Sequence, residues 1–317
     1  MSNRVGKRRS PPRSVWTVTR RGLLLFAAMS VIWGIPYLLI LVAVRDLSPA
    51  VLVLGRTAIA AMLLLPIAAA RGELRPLRGH WGALLVFAAI EIAIPWVLLG
   101  TAEQHISSSL TALLIAAVPL VGAVIARTSG DRERLGRSSL VGLLLGLVGV
   151  AAIVGLNLDG AGVLPLSEVA LVAVCYAVGP VILQRYLADL PALGVISASL
   201  AVTALAFVPF AFTSLPSEAP PWSAIWSVLA LAVVCTAVAF VLFFALIAEV
   251  GPVRATVITY INPAVAALLG IAILDEHFTL GMAAGFALVL VGSVLATRRS
   301  MPPEAPAAVL DPACETV

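Results

Sequence analysis

The sequence predicts an all-α membrane protein: ten transmembrane helices arranged as two inverted five-helix repeats. Composition gives the class. Of 317 residues, 61% are hydrophobic and 11% charged, whereas a soluble domain carries charge on about a quarter of its residues. Run length gives the element. The apolar residues come in runs of roughly 20, enough to cross a hydrocarbon layer of about 30 Å, and the short alternating segments of a membrane β-barrel are missing. An internal duplication gives the architecture. Glu249 to Thr297 is two apolar runs split by Asp275-Glu276-His277. Glu103 to Val154 lies beneath it, with Val250 on Ile106 and Pro263 on Pro119. Glu276, Phe278, Gly285 and Gly292 then fall on Glu133, Leu135, Gly142 and Gly149.

In chain order, residues 1–20 read as a disordered basic cytoplasmic tail, with Arg4, Lys7, Arg8, Arg9 and Arg13 around Pro11-Pro12. The apolar run behind it is long and lacks a small-residue cleavage site, which argues against a signal peptide. Ten spans follow near residues 22–44, 49–70, 81–101, 104–126, 138–156, 163–184, 192–213, 222–246, 249–273 and 279–297. Pro49 and Pro66 open and close the second, and Pro191 and Pro209 do the same for the seventh. Residues 298–317, rich in Pro and Ala, read as a second disordered cytoplasmic tail. The two repeats cover 21–157 and 158–297.

Charge orients the spans. Of the 20 basic residues, 17 fall in the two tails and in the loops on the same side of the membrane. Arg45 alone lies in an opposite loop, while Arg56 and Arg254 lie within spans. Cationic loops stay in the cytoplasm, so both termini are expected there, in a multi-pass protein of the cell membrane. Five spans per repeat is an odd number, so the second copy sits upside down relative to the first. Inverted repeats are typical of secondary transporters, whose substrate site lies near mid-membrane between the repeats. The net charge of +4 belongs to this loop pattern, and no nucleic-acid partner is expected. Three scattered cysteines make neither a disulfide framework nor a metal site.

The chain resembles the drug/metabolite transporter superfamily, specifically its EamA-type members. The residues that carry the likeness are Trp33-Gly34 and Tyr37 in span 1, Arg56 in span 2, and the segments Ile106-Ser-Ser-Ser109 to Pro119 and Val250-Gly251-Pro252 to Pro263. The doubled Glu-x-(Leu/Phe)-x6-Gly-x6-Gly endings at Glu133 and Glu276 complete it. The likeness covers about 21–298. It implies a transporter that hydrolyses no ATP, often an exporter of metabolites or drugs. The departure is a longer first-copy loop, Arg127-Thr-Ser-Gly-Asp-Arg132.

No Gly-rich loop ending in Gly-Lys-Ser/Thr is present, so no nucleotide cofactor is expected, and an ion or solute gradient would supply the energy. Charge inside the bilayer is costly and marks a cavity, a partner or both. Glu91, near the middle of span 3, is the proton-coupling candidate. Arg56 lies about one helical turn from it in depth, so the two can form either part of a coupling site or a fixed ion pair. Arg254 reads as an interfacial cation or a vestibule charge. Pro119 and Pro263 are expected to kink spans 4 and 9 beside the repeat axis. Asn262 and Tyr260, next to Thr259, are expected to line the cavity with the aromatic wall of Trp33 and Tyr37. Glu103 and His105 read as exposed loop residues, and Glu276 as a cap for span 10. The glycines of spans 5 and 10 allow close helix packing, within the chain or at a homodimer interface.

The expected partners are therefore a small-molecule substrate and the lipid bilayer. An intramembrane enzyme would need clustered acid, base or metal ligands at one depth, which the spans lack. A membrane scaffold would not need two opposed halves. A carrier of nucleotide-sugar-like anions would need more buried cations, so a neutral, zwitterionic or cationic solute is favoured, by export or by uptake and exchange.

Overall fold

The computed structural model describes residues 19–128, 137–155 and 162–297. The tails, and the loop with Glu133, Leu135 and most of the insertion after Arg127, lie outside the described residues. Ten helical spans are present: Arg20–Val44, Pro49–Ala70, Trp81–Ala102, Ser108–Ile125, Ser138–Gly155, Val163–Tyr186, Ala192–Phe212, Trp222–Val250, Thr256–Leu274 and Leu280–Thr297. They are numbered span 1 to span 10. Ten crossings put Arg20 and Thr297 at one end, the terminal end; the opposite end is the far end.

Local chemistry sets the boundaries. Ser48 caps span 2 by accepting from the Val51 N–H, and Ser107 caps span 4 by accepting from the Leu110 N–H at 3.2 Å. These caps satisfy amides that the first helical turn leaves open. Span 8 runs on to Val250 and takes in Glu249, both assigned to span 9 by sequence. Gly251 ends it with a φ of 85°, a left-handed conformation that costs glycine little. At its end, the Glu249 carboxylate accepts a hydrogen bond from Thr19, the N-cap of span 1.

Several spans are not continuous α-helix. Span 1 breaks between Ile32 and Pro36, span 4 between Ile115 and Val118, and span 9 at Ile261 after a 3-10 turn over Thr256–Tyr260. The expected kinks at Pro119 and Pro263 are thus full breaks, each proline standing in the first turn of the helix that follows. There it gives up only an N–H that has no helical acceptor. Spans 3 and 8 each carry one π-helical turn, Ala88–Ala93 and Val233–Val238.

Packing reproduces the duplication. Span 2 packs on span 7, span 4 on span 9 and span 5 on span 10, while span 1 packs on span 8 as span 6 packs on span 3. Exchanging the five-helix repeats maps this set of pairs onto itself. Spans 5 and 10 approach most closely. A Cβ on Gly149 would sit 2.7 Å from the Gly285 carbonyl oxygen, and one on Gly285 would sit 2.6 Å from that of Gly149. The glycine faces are therefore spent on each other within one chain.

Candidate functional site: a buried polar cluster and a far-end carboxylate pair

The π-helical turns organise the centre. An extra residue in a turn re-aims the side chains around it, and such turns are frequent at functional sites. Glu91 is the fourth residue of Ala88–Ala93, and Thr236 is the fourth of Val233–Val238. The two hold the same place in π-helical turns on corresponding spans of the two repeats. The Thr236 hydroxyl donates to the Leu231 carbonyl, five residues back, at 2.8 Å.

Arg56 reaches Thr236. Its Nε donates to Thr236 Oγ1 at 2.9 Å, and its guanidinium carbon lies 3.5 Å from the centroid of the Trp96 ring. The residue is 7% exposed. A desolvated cation over an indole face gains about 2 kcal/mol or more, which offsets part of the cost of burying the charge. Among the described residues Arg56 makes no ion pair with Glu91. Of the arrangements the sequence left open, the fixed ion pair is therefore not made; Thr236 of span 8 and Trp96 of span 3 engage the guanidinium instead.

Glu91 is left without a counter-charge. Its Oε2 is buried with no hydrogen-bond partner among the described residues. The carboxylate packs on Gly179 of span 6, where an added Cβ would overlap Oε2 and lie 2.9 Å from Cδ. Tyr176 of span 6 lies within electrostatic reach of both Glu91 and Arg56. Tyr37 of span 1 is in the same relation to Tyr176, Arg56 and Glu103. Of the expected set, Arg56 is thus joined by Trp96 and Thr236, Glu91 packs on Gly179, and Tyr37 shares a core cluster with Tyr176.

The other expected site residues are placed differently. Trp33 packs on Phe243 at a tilt, 4.7 Å between centroids, and meets Phe240 edge-on at 6.0 Å, in a packing cluster of spans 1, 8 and 9. Asn262 is 9% exposed, and with its amide oriented to satisfy both groups, its nitrogen donates to the Ile258 and Ser30 carbonyls at 2.9 and 3.0 Å. The amide therefore closes the break in span 9 and ties it to span 1. Pro263 is buried beside it, Tyr260 is half-buried and Arg254 is exposed at the terminal end. Pro119 lies in span 4, which packs against span 9.

At the far end two carboxylates meet, and both expectations there are corrected. Glu276 does not cap span 10. Its Oε1 accepts from the Ser108 N–H and hydroxyl, each at 2.8 Å, and its Oε2 accepts from the Ser109 N–H at 2.9 Å. It caps span 4, in the other repeat, where unpaired amides and the helix dipole favour an anion. Glu103 is not an exposed loop residue but is 4% exposed, because the tight turn after Ala102 folds its side chain inward. Burial, and then the neighbouring Glu276 carboxylate, push its carboxyl well above the usual range, against a smaller opposing effect of the Leu41 backbone N–H. A pocket of about 470 Å³ opens here, lined in part by Leu41, Arg45, Glu103, His105 and Glu276.

Comparison with known proteins decides the family. The EamA-like transporter family matches residues 20–155 and again residues 166–298. The chain belongs to this family. It is a membrane transporter of the drug/metabolite type, and each family match covers one of the two five-helix units. YedA, an uncharacterized inner membrane transporter of Escherichia coli K12, is 29% identical over 252 residues, covering 77% of this chain and 79% of YedA. An uncharacterized transporter of Archaeoglobus fulgidus is 26% identical, covering 84% of this chain and 95% of its own length. YvbV of Bacillus subtilis, also an uncharacterized transporter, is 25% identical over 88% of this chain and 92% of its own. A protein crystal structure superimposes with a TM-score of 0.63 at 22% identity, covering 87% of this chain and 96% of the other. That likeness is one of fold alone.

Sequence reasoning missed Trp96, Tyr176 and Thr236, which look ordinary in apolar helices.

Proposed function

We propose that this EamA-like protein is a secondary transporter that moves a small organic solute across the cytoplasmic membrane by alternating access. The direction is export, with both termini cytoplasmic and Glu91 carrying the coupling proton. The observation that supports the coupling role is the isolation of Glu91. The residue is half-buried, and its buried Oε2 has no hydrogen-bond donor among the described residues; closed off from water in that setting, the carboxyl favours the neutral acid. When the surrounding helices part, water or a cationic solute can stabilise the ionised form. A protein that alternates between these states exchanges a proton for a solute in each cycle.

Substrate charge follows from Arg56. Its guanidinium is already engaged by Trp96 and Thr236, which leaves little to attract an anion. A neutral, zwitterionic or cationic solute is therefore the class to test first. A growth screen of cells overproducing the chain, against toxic amino acids, analogues and drugs, tests the reading. Resistance to one compound is expected in the wild type and lost in Glu91→Gln. Gly179→Ala is expected to lose it too, because its methyl displaces the carboxylate. A Glu91→Gln variant that inserts normally and keeps pH-dependent transport removes Glu91 from the role.

A further inference from the structure

Span 2 ends in a short, anchored loop at the terminal end. The Gly72 N–H donates to the Ala69 carbonyl and the Glu73 N–H to the Ala68 carbonyl, each at 2.9 Å. Gly72 holds a left-handed φ of 73°. This pair of bonds is the Schellman closure, which satisfies the last carbonyls of a helix and fixes the direction of the chain that leaves it. A 3-10 turn follows, Arg75–Gly79, whose Leu77 is 1% exposed in the core shared by spans 2, 3 and 7. Between these two anchors lies a cavity of about 470 Å³, lined by Ala69, Ala70, Arg71, Gly72, Leu74 and Arg75. Its size is that of a small-molecule site.

Charge around the cavity is one-sided. Arg71, Arg75 and Arg78 are exposed on the loop. Glu73 is the loop's one carboxylate, and it is drawn away. Its Oε2 accepts from the Gly194 N–H, in the first turn of span 7, at 3.2 Å. Its Oε1 lies 3.9 Å from Arg71 Nη1, a long and largely exposed pair of the kind that contributes little. Arg75 and Arg78 make no ion pair among the described residues. Two guanidinium forks at one cavity suit the oxygens of a phosphate. No carboxylate of the loop is left to take the ammonium of a zwitterionic headgroup.

Span 2 indicates where such a phosphate comes from. Met62, Leu63, Pro66 and Ile67 are exposed and lead at helical spacing to Ala69 and Ala70, in the wall of the cavity. On a membrane-spanning helix this stripe faces acyl chains. Trp81, 47% exposed at the start of span 3, marks the headgroup level, where indoles collect. An apolar stripe that runs into a cationic cavity at that level matches a lipid with an anionic head better than a free ion.

We propose that this cavity binds the headgroup of an anionic phospholipid from the leaflet at the terminal end, with Arg71 and Arg75 on its phosphate and its acyl chains along the span 2 stripe. Basic pockets at helix ends hold anionic headgroups in this way. The bound lipid joins the end of span 2 to the turn that leads into span 3, in a loop that Glu73 already ties to span 7. The site is independent of the coupling role of Glu91 and of the direction of transport.

The test weighs the full chain with its retained lipids by native mass spectrometry. The chain is released from micelles holding equal amounts of phosphatidylglycerol and phosphatidylcholine with the same acyl chains. One arginine near a membrane surface contributes about fivefold in affinity for anionic lipid. Wild type is therefore expected to prefer phosphatidylglycerol about 25-fold, and the Arg71→Gln, Arg75→Gln double variant to fall to near parity. If the double variant fails to insert, Arg75→Gln, which breaks no ion pair, is expected to lower the preference about fivefold. Arg254→Gln removes an exposed cation of the same end and is expected to keep the wild-type preference. Near parity in wild type overturns the proposal, as does a preference that survives in the double variant. An equal loss in Arg254→Gln shows diffuse attraction to the whole end and overturns the pocket. Displacement of phosphatidylglycerol by glycerol 3-phosphate at the lipid's own concentration shows that the acyl chains contribute nothing and overturns the lipid as ligand.

Discussion

Alanine at Gly142 or Gly292 should part spans 5 and 10 and destabilise the protein, and the two changes together should cost little more than one. A Cβ on Gly292 would lie 2.6 Å from the Gly142 carbonyl oxygen and 2.5 Å from the Gly146 nitrogen, and one on Gly142 would lie 2.7 Å from the Gly292 oxygen. These neighbours are backbone and cannot rotate away. Ordinary contact begins at 3.4 Å, so the helices must separate by roughly 0.8 Å, a strain of about 1–3 kcal/mol by the behaviour of overpacked cores. At roughly 2–4 °C per kcal/mol, each variant should melt about 2–12 °C below wild type. Once the helices have moved for the first methyl, the second finds its room already made. The double variant should therefore show a coupling energy of about 1–2 kcal/mol instead of additive loss. Gly122→Ala is the control: its new methyl would meet only Ala177 Cβ at 4.0 Å, and helix propensity alone should stabilise it by about 0.5–1 kcal/mol. Thermal unfolding in detergent reads the wild type and all four variants. Additive losses, or a Gly142→Ala protein as stable as Gly122→Ala, would refute the close approach.

Thr236→Val removes the acceptor of the Arg56 Nε bond and should cost about 1–3 kcal/mol, because the guanidinium donor stays buried. Thr236→Ser keeps the hydroxyl and should recover most of the loss, so equal melting of the two variants would count against the contact. Glu103 makes stability depend on pH with a definite sign. Its carboxyl titrates higher in the folded protein than the ordinary value near 4.3. Between those two points the folded state holds a proton that the unfolded chain has lost. The contribution of Glu103 to stability is then complete in acid and declines as pH rises through the window. Melting temperature measured across pH should fall less steeply in Glu103→Gln than in wild type, and parallel curves would show that Glu103 does not titrate there.

The spans were legible because a bilayer demands about 20 apolar residues in succession and this chain supplies ten such runs. The breaks at Pro119 and Pro263 were half legible: proline marks the place, but only packing decides between a bend and a full interruption. The π-helical turns carry no local mark, and Glu91 drew notice for its charge alone. Arg56 was singled out for the same reason, while its partner was left open. A depth estimate along two helices says nothing of which face each presents, and Trp96 and Thr236 claim the guanidinium. Glu103 and Glu276 show the limit most clearly. Each sits in a short polar segment that reads as an exposed turn, yet the two are brought together across 173 positions of chain by the pairing of the repeats.

The Glu276 cap also bears on how the protein is made. The Ser108 and Ser109 amides wait for a carboxylate 168 and 167 residues further along. At about 5–20 residues per second of synthesis, that residue leaves the ribosome roughly ten to thirty seconds after span 4 does. During that interval the start of span 4 has no carboxylate of its own and must stay near the lipid headgroups or water. Completion of the first half thus follows insertion of the second, and a chain cut between the repeats would leave a half whose fourth helix lacks its cap.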